Sequence, residues 1–191
     1  MLRFEKGELR DIAISVCVLA VAVSGMGPDW RGVIVGNLAT VSLSLALGFF
    51  GHEMAHKAVA VRYGYRSYYK MWTQGLFFAL LIGIASSGRF LFAAPGAVMI
   101  QARHTTAEEN GKISIAGPLT NLGIAALFYP LTFFPGLVAS IGGFGVFINL
   151  LLALFNYLPI GPLDGRKICS WKPKLGIGML VLRDLMMFFE T

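Results

Sequence analysis

The sequence predicts an α-helical polytopic membrane protein, with about four to six transmembrane helices and a short re-entrant β-hairpin or strand segment. Two observations carry that expectation. Of the 191 residues, 56% are hydrophobic and the mean hydropathy is +0.69, too apolar for an ordinary soluble domain. The basic residues also gather at the ends of apolar runs, as they do in the cytoplasmic loops of membrane proteins. The net charge of +6 is therefore read as membrane topology, and nucleic acid is not expected as a partner; the lipid bilayer is. No Ser- or Pro-rich linker, low-complexity tract or internal repeat divides the chain, so residues 1–191 read as a single membrane-embedded domain. Cys17, in an apolar run, and Cys169, in a basic loop, give no disulfide framework.

The first span is expected over Ile12–Gly27. A helix of that length covers about 24 Å, short of a ~30 Å hydrocarbon core, so it starts by Leu9 or the bilayer thins. Residues Met1 to Asp11 carry mixed charge with no clean cleavage site, which favours a retained span over a removed signal. After a Pro28-Asp29-Trp30-Arg31 turn, the second span runs from Gly32 to Val61. Its far end is basic (Lys57, Arg62, Arg66, Lys70) and interleaved with Tyr63, Tyr65, Tyr68, Tyr69 and Trp72, which reads as an interfacial belt on the cytoplasmic side. Two short apolar pieces follow, Gly75–Ala85 and Phe90–Ile100; neither reaches the ~20 residues of a spanning helix, so they are read as extended or re-entrant. Charge parity supports this. The spans Ile113–Phe134 and Leu137–Leu158 already return the chain between the basic stretches at 62–70 and 166–174, so residues 75–100 must cross an even number of times, as a re-entrant hairpin or a pair of thin spans. Irregular backbone at membrane depth survives only where protein or water covers it.

The polar stretch Gln101–Lys112 is expected to be a cytoplasmic loop, with His104 solvated. Gly117-Pro118-Leu119-Thr120-Asn121 is read as the opening of the third long span, with Pro in a first helical turn and Thr120 and Asn121 as hydrogen-bonding contacts between helices. The fourth long span ends in Asn156-Tyr157-Leu158-Pro159-Ile160-Gly161-Pro162-Leu163-Asp164-Gly165, where Pro159 and Pro162 stop regular helix bonding. Arg183 and Asp184 interrupt the last apolar run, Leu175–Thr191. That run lies on the membrane surface, or the chain continues past Thr191; the sequence leaves both open.

The chain is organised around His52-Glu53-Met54-Ala55-His56, inside the second span. At 3.6 residues per turn the two histidines share one helix face, where two imidazoles can hold one metal ion with Glu53 beside the open position as a base. Ionisable groups are costly in hydrocarbon, so such a cluster marks a functional site. Asp164 sits at the same end of its span as His56. Taken alone it caps the next helix or ligates a metal with equal plausibility; beside an HExxH that lacks a third ligand, the ligand reading wins.

Together HEMAH, AAPGAVMI, AGPLTN and FNYLPIGPLDG, in that order between about Gly32 and Lys167, resemble the site-2 protease family of intramembrane zinc metalloproteases. The N-terminal FEKGELRDIAIS is most similar to the archaeal members. The resemblance implies one Zn2+ per chain on His52, His56 and Asp164, with Glu53 as general base. It also implies that Asn156 positions substrate or the oxyanion, and that a re-entrant strand lies near Pro95-Gly96-Ala97-Val98. Arg166 departs from the second Gly that many members carry after Asp-Gly. The implied activity is cleavage of peptide bonds within transmembrane segments of membrane proteins, in a multi-pass plasma-membrane protein whose site lies nearer the cytoplasmic face. Residues from Ala93 to Ile100 would capture the substrate by strand addition. Rival readings are a metal transporter, disfavoured by only three His, a two-His-one-carboxylate oxygenase, which gives Glu53 no role, and a non-catalytic homologue that binds transmembrane partners.

Overall fold

The computed structural model describes residues 3–23, 34–86, 95–173 and 175, and for 34–39 the backbone alone. The turn around Trp30, Ala93, and residues 176–191 of the last apolar run lie outside the described residues.

Helix α1 spans Glu8–Val23, 16 residues, starting one residue ahead of Leu9 and covering about 24 Å within the described residues. Its buried face carries Glu8, Ile12, Ser15 and Leu19, the i, i+4, i+7, i+11 stripe of a helix packed on one side. Helix α2, Ile34–Arg62, has 29 residues and is about 43 Å long. Arg66–Met71, within the basic and aromatic stretch, is strand β1. Thr73–Ala85 is helix α3, which corrects the extended reading of Gly75–Ala85. The run TQGLFFALLIGIA is apolar throughout, so it has no periodicity by which strand and helix could be told apart. Strand β2, Gly96–Gln101, begins within the second short apolar piece, runs one residue past it and pairs with β1 antiparallel, Tyr69 opposite Val98. The short strand segment expected near Pro95–Val98 is therefore present, with β1 as its partner and α3 between the two.

Helix α4 begins at Ala107, inside the stretch expected to be a loop. Thr106 accepts from the Glu109 backbone N–H (3.1 Å) while the Glu109 carboxylate takes the Thr106 N–H (2.8 Å), a reciprocal cap that satisfies two free donors. Pro118 consequently lies well inside α4, which ends at Phe128, and does not open it. A 3-10 turn, Tyr129–Phe133, leads to α5, Leu137–Tyr157, and α6 is Asp164–Trp171.

Among the described residues, Ala107–Phe133 and Leu137–Tyr157 are long and apolar enough to cross a membrane. The expected four to six spans thus stand, by length and composition, on two. Helices α2, α4 and α5 pack on one another, with α6 against α4, while α1 packs on α3, α2 and β1. The core joins Leu19 of α1, Leu45 and Phe49 of α2, Tyr69 of β1, Ala79 of α3 and Ile148 and Leu152 of α5. Through Tyr69 the sheet is thereby tied to the helices.

Candidate metal centre

Three side chains that could hold a metal, His52, His56 and Asp164, converge where α2 meets α6. Helical spacing places the two imidazoles side by side, ring centroids 4.6 Å apart and nearly perpendicular. Their Nε2 atoms lie 2.9 Å apart, and Asp164 Oδ2 is 3.2 Å from the first and 3.0 Å from the second. Zinc bonds of ~2.0–2.1 Å at tetrahedral angles separate donor atoms by ~3.3 Å, so the triangle fits that ion after opening by a few tenths of an ångström.

The far side of each imidazole is fixed. Asn121 on α4 sits against His52 Nδ1 at 2.5 Å, and its amide nitrogen donates to the Gly48 carbonyl (3.0 Å) and to Asn149 Oδ1 (2.9 Å). Asn149 in turn donates to the Gly145 carbonyl. Two carbonyls therefore set both amides, the oxygen of Asn121 faces His52, and the His52 proton belongs on Nδ1. His56 Nδ1 donates to the Ile113 carbonyl at 2.7 Å. Both Nε2 lone pairs are left for a metal. The Ile113 carbonyl stands one residue before that of Ser114, which Pro118 leaves without its helical N–H. Beside it, a Cβ on Gly117 would sit 2.5 Å from His56 Nε2 and 2.6 Å from His52 Nε2, so only glycine lets α4 approach the histidines this closely.

The order Asp-Gly also has a steric cause. A Cβ at Gly165 would meet the carbonyl groups of Tyr157 and Leu158, and this close approach lets α6 turn back with Asp164 in its first turn. The exposed Arg166 in the second position after Asp164 leaves that turn intact.

Glu53 is buried, and its Oε2 has no hydrogen-bond partner among the described residues, a demand that water in the cleft would meet. The cleft has about 120 Å³ of free space and is lined by His52, Glu53, His56, Asp164, Asn156 and the β2 residues Gly96, Ala97 and Val98, with Pro95 ahead of them. Asn156 donates one N–H to the Leu152 carbonyl of its own helix, which leaves the second. The ladder register fixes what β2 offers. Trp72 N–H bonds the Pro95 carbonyl, so alternate pairs onward from there are hydrogen-bonded, and Tyr69/Val98 is a non-bonded pair. The Val98 N–H therefore points away from β1, and it reaches the Glu53 carboxyl.

The structure thus brings together His52, Glu53, His56, Asp164, Asn156, Pro95, Gly96, Ala97 and Val98. Ala93 lies outside the described residues, and His104 is exposed. Sequence reasoning treated Asn121 as helix packing, and it missed Gly117 and Lys167, which also lines the cleft. The available signal for Asn121 was an amide in an apolar span, where a polar group needs a partner. Lys57, expected in the cytoplasmic basic belt, is instead buried and paired with Glu8.

Comparison with known proteins agrees with this geometry. The chain is 41% identical over 174 residues to "Putative zinc metalloprotease MJ0611" of Methanocaldococcus jannaschii, covering 90% of this chain and 87% of that one. It is 30% identical over 157 residues to "Putative zinc metalloprotease Rip3" of Mycobacterium tuberculosis, covering 78% of this chain but 35% of the longer relative. No family model matches the chain, and no solved structure does.

Proposed function

The chain belongs to the site-2 protease family of zinc metalloproteases, in its archaeal branch, and from that premise we propose that it hydrolyses peptide bonds within transmembrane segments of membrane proteins. The observation that carries the reading is the convergence of His52, His56 and Asp164 within 3.2 Å of one another beside the buried Glu53. Bound there, a Zn2+ ion supplies Lewis acidity: it lowers the pKa of a water towards ~7 and polarises a carbonyl.

The protein's own groups do the rest. His52 and His56, oriented by Asn121 and Ile113, present neutral lone pairs, and Asp164 supplies the anionic ligand. Glu53, with one oxygen unpartnered, takes the proton of the attacking water and delivers it to the leaving amine. Asn156 directs its free N–H at the scissile carbonyl as negative charge develops there. A helical peptide hides its carbonyls in i to i−4 bonds, so it must be unwound before attack. The outward groups of Gly96 and the outward C=O of Val98 give it a strand to pair with in exchange, joined by the Val98 N–H once it is exchanged from Glu53. On this reading residues 93–98 bind substrate through the backbone, in a multi-pass plasma-membrane protein whose cleft opens towards the cytoplasm. An oxygenase on the same ligands would leave Glu53 without a role.

The test is the position of the cut. Purified protein with zinc is given a reporter that has one apolar transmembrane segment, and the fragments are weighed by mass spectrometry. Fragment ends within the apolar segment are expected. Ends confined to the flanking polar sequence would replace intramembrane cleavage with ordinary peptidase action.

A further inference from the structure

Helix α1 carries two polar residues on its buried stripe, Glu8 and Ser15, and both reach the same residue of the sheet. The Glu8 carboxylate accepts the Tyr69 backbone N–H at 3.0 Å. Ser15 Oγ donates to the Asp11 carbonyl at 2.8 Å, so in its 2.9 Å contact with Tyr69 the phenol is the donor. Seven residues are two helical turns, which is why one face of α1 grips Tyr69 at backbone and side chain at once. Tyr69 is fully buried, lies edge-on to Phe49 of α2 (5.7 Å) and faces Val98 across the ladder. Lys57, next in sequence to His56, completes the arrangement. Its Nζ lies 2.6 Å from both Glu8 oxygens, both side chains are 0–1% exposed, and the ammonium sits 4.7 Å from the centre of the Phe4 ring. The Glu5 backbone N–H gives Glu8 a further bond at 2.9 Å.

A two-stranded sheet has two outer edges, and each is a template for another strand. At the Tyr69/Val98 pair the outward groups of β2 face the cleft, where the Val98 N–H meets Glu53 of the site itself, whereas the outward N–H of β1 is occupied by the Glu8 carboxylate, which Lys57 holds in place. We propose that Glu8, held in place by Lys57, is a permanent edge cap. It occupies the strand position on β1 that an incoming peptide would otherwise take, and it fixes the sheet's height over the metal ligands, so that substrate pairs with β2 alone. Glu8 and Lys57 are then positioning residues, and substrate touches neither. A buried ion pair is by itself weak evidence of stabilisation, since apolar replacements of both partners are often neutral; here one carboxylate oxygen serves the strand as well as the lysine. The proposal rests on the reading of β2 as the substrate edge.

The experiment compares two double variants that both remove the buried charges. Glu8→Leu/Lys57→Met loses the acceptor for the Tyr69 N–H, whereas Glu8→Gln/Lys57→Met keeps one in the amide oxygen. Amide exchange is followed in peptides covering 66–71 and 96–101 of the zinc-loaded protein, together with zinc content, kcat and KM on a transmembrane reporter. In the Leu/Met protein, exchange in both strands is expected to rise at least about tenfold, the loss of one hydrogen bond to a charged group, with zinc retained, KM raised and kcat near wild type. The Gln/Met protein should match wild type. Ser15→Ala, a milder change that removes the hydroxyl tether alone, is expected to move the same peptides in the same direction. Equal strand exchange in the two double variants would overturn the edge cap. Faster exchange with unchanged KM would leave the cap standing and overturn the assignment of substrate to β2.

Discussion

At the scale of single residues, the site depends on groups that never meet the reacting bond. Asn121 holds the His52 proton on Nδ1, and without it the ring can turn or change tautomer. Asn121→Ala is expected to lower zinc affinity about 10–100-fold, the usual effect of losing a ligand's outer partner, while far-ultraviolet circular dichroism stays unchanged; a competition titration against a chelator measures it. Gly117→Ala should act on the same quantity by a different cause, because its methyl group would overlap both Nε2 atoms. Affinity equal to wild type in that variant would mean that α4 can retreat from the histidines without consequence. The ligands themselves were legible in the sequence, since i, i+4 histidines fix their own geometry and Asp164 follows a proline-broken helix end. The partners were not. That Asn121 faces His52 and not lipid depends on how α4 rotates against α2, which no local pattern encodes.

Among the elements, β2 carries the largest functional claim. Proline at Val98 removes the N–H that points from the strand towards the cleft, and with it a partner of Glu53, but leaves every ladder bond to β1 in place, because Tyr69/Val98 is a non-bonded pair. Val98→Pro should therefore slow cleavage of a transmembrane reporter at least about tenfold, the value of one interaction of ~1.4 kcal/mol, and Val98→Ala far less, with equal zinc in both. An equal or larger defect in the Ala variant would make the strand a packing element only. Substrates with weak local helix propensity should also be cut faster, since less internal bonding must be exchanged. The sequence revealed β2 as a piece too short to span, but not its partner. Arg66–Met71 reads Arg-Ser-Tyr-Tyr-Lys-Met, a mix of charges and aromatics that suits an interface as well as a strand. The start of α4 was legible in principle, since Thr106 and Glu109 have capping-box spacing; the polarity of the stretch argued for a loop. The long apolar helices α2 and α5 were read to within about two residues at each end that the structure describes, because length and composition suffice for them.

For the whole molecule, α4 and α5 run antiparallel through the 3-10 turn, so the ends of both that lie near the metal ligands share one side. In a background lacking Cys17 and Cys169, single cysteines at Arg103 and Lys172 are expected to be labelled from one face of the membrane and one at Phe134 from the other. Labelling of all three from one face would remove the crossing. The central claim is chemical: three converging ligands and one buried carboxylate make a zinc-dependent peptidase. Its most direct measurement is zinc content and cleavage of a transmembrane reporter on the same preparations of wild type and Glu53→Gln. The account predicts about one zinc per chain in both proteins, with cleavage reduced at least ~10²-fold in the variant, the effect of losing a general base. Cleavage at the wild-type rate with zinc retained would contradict it.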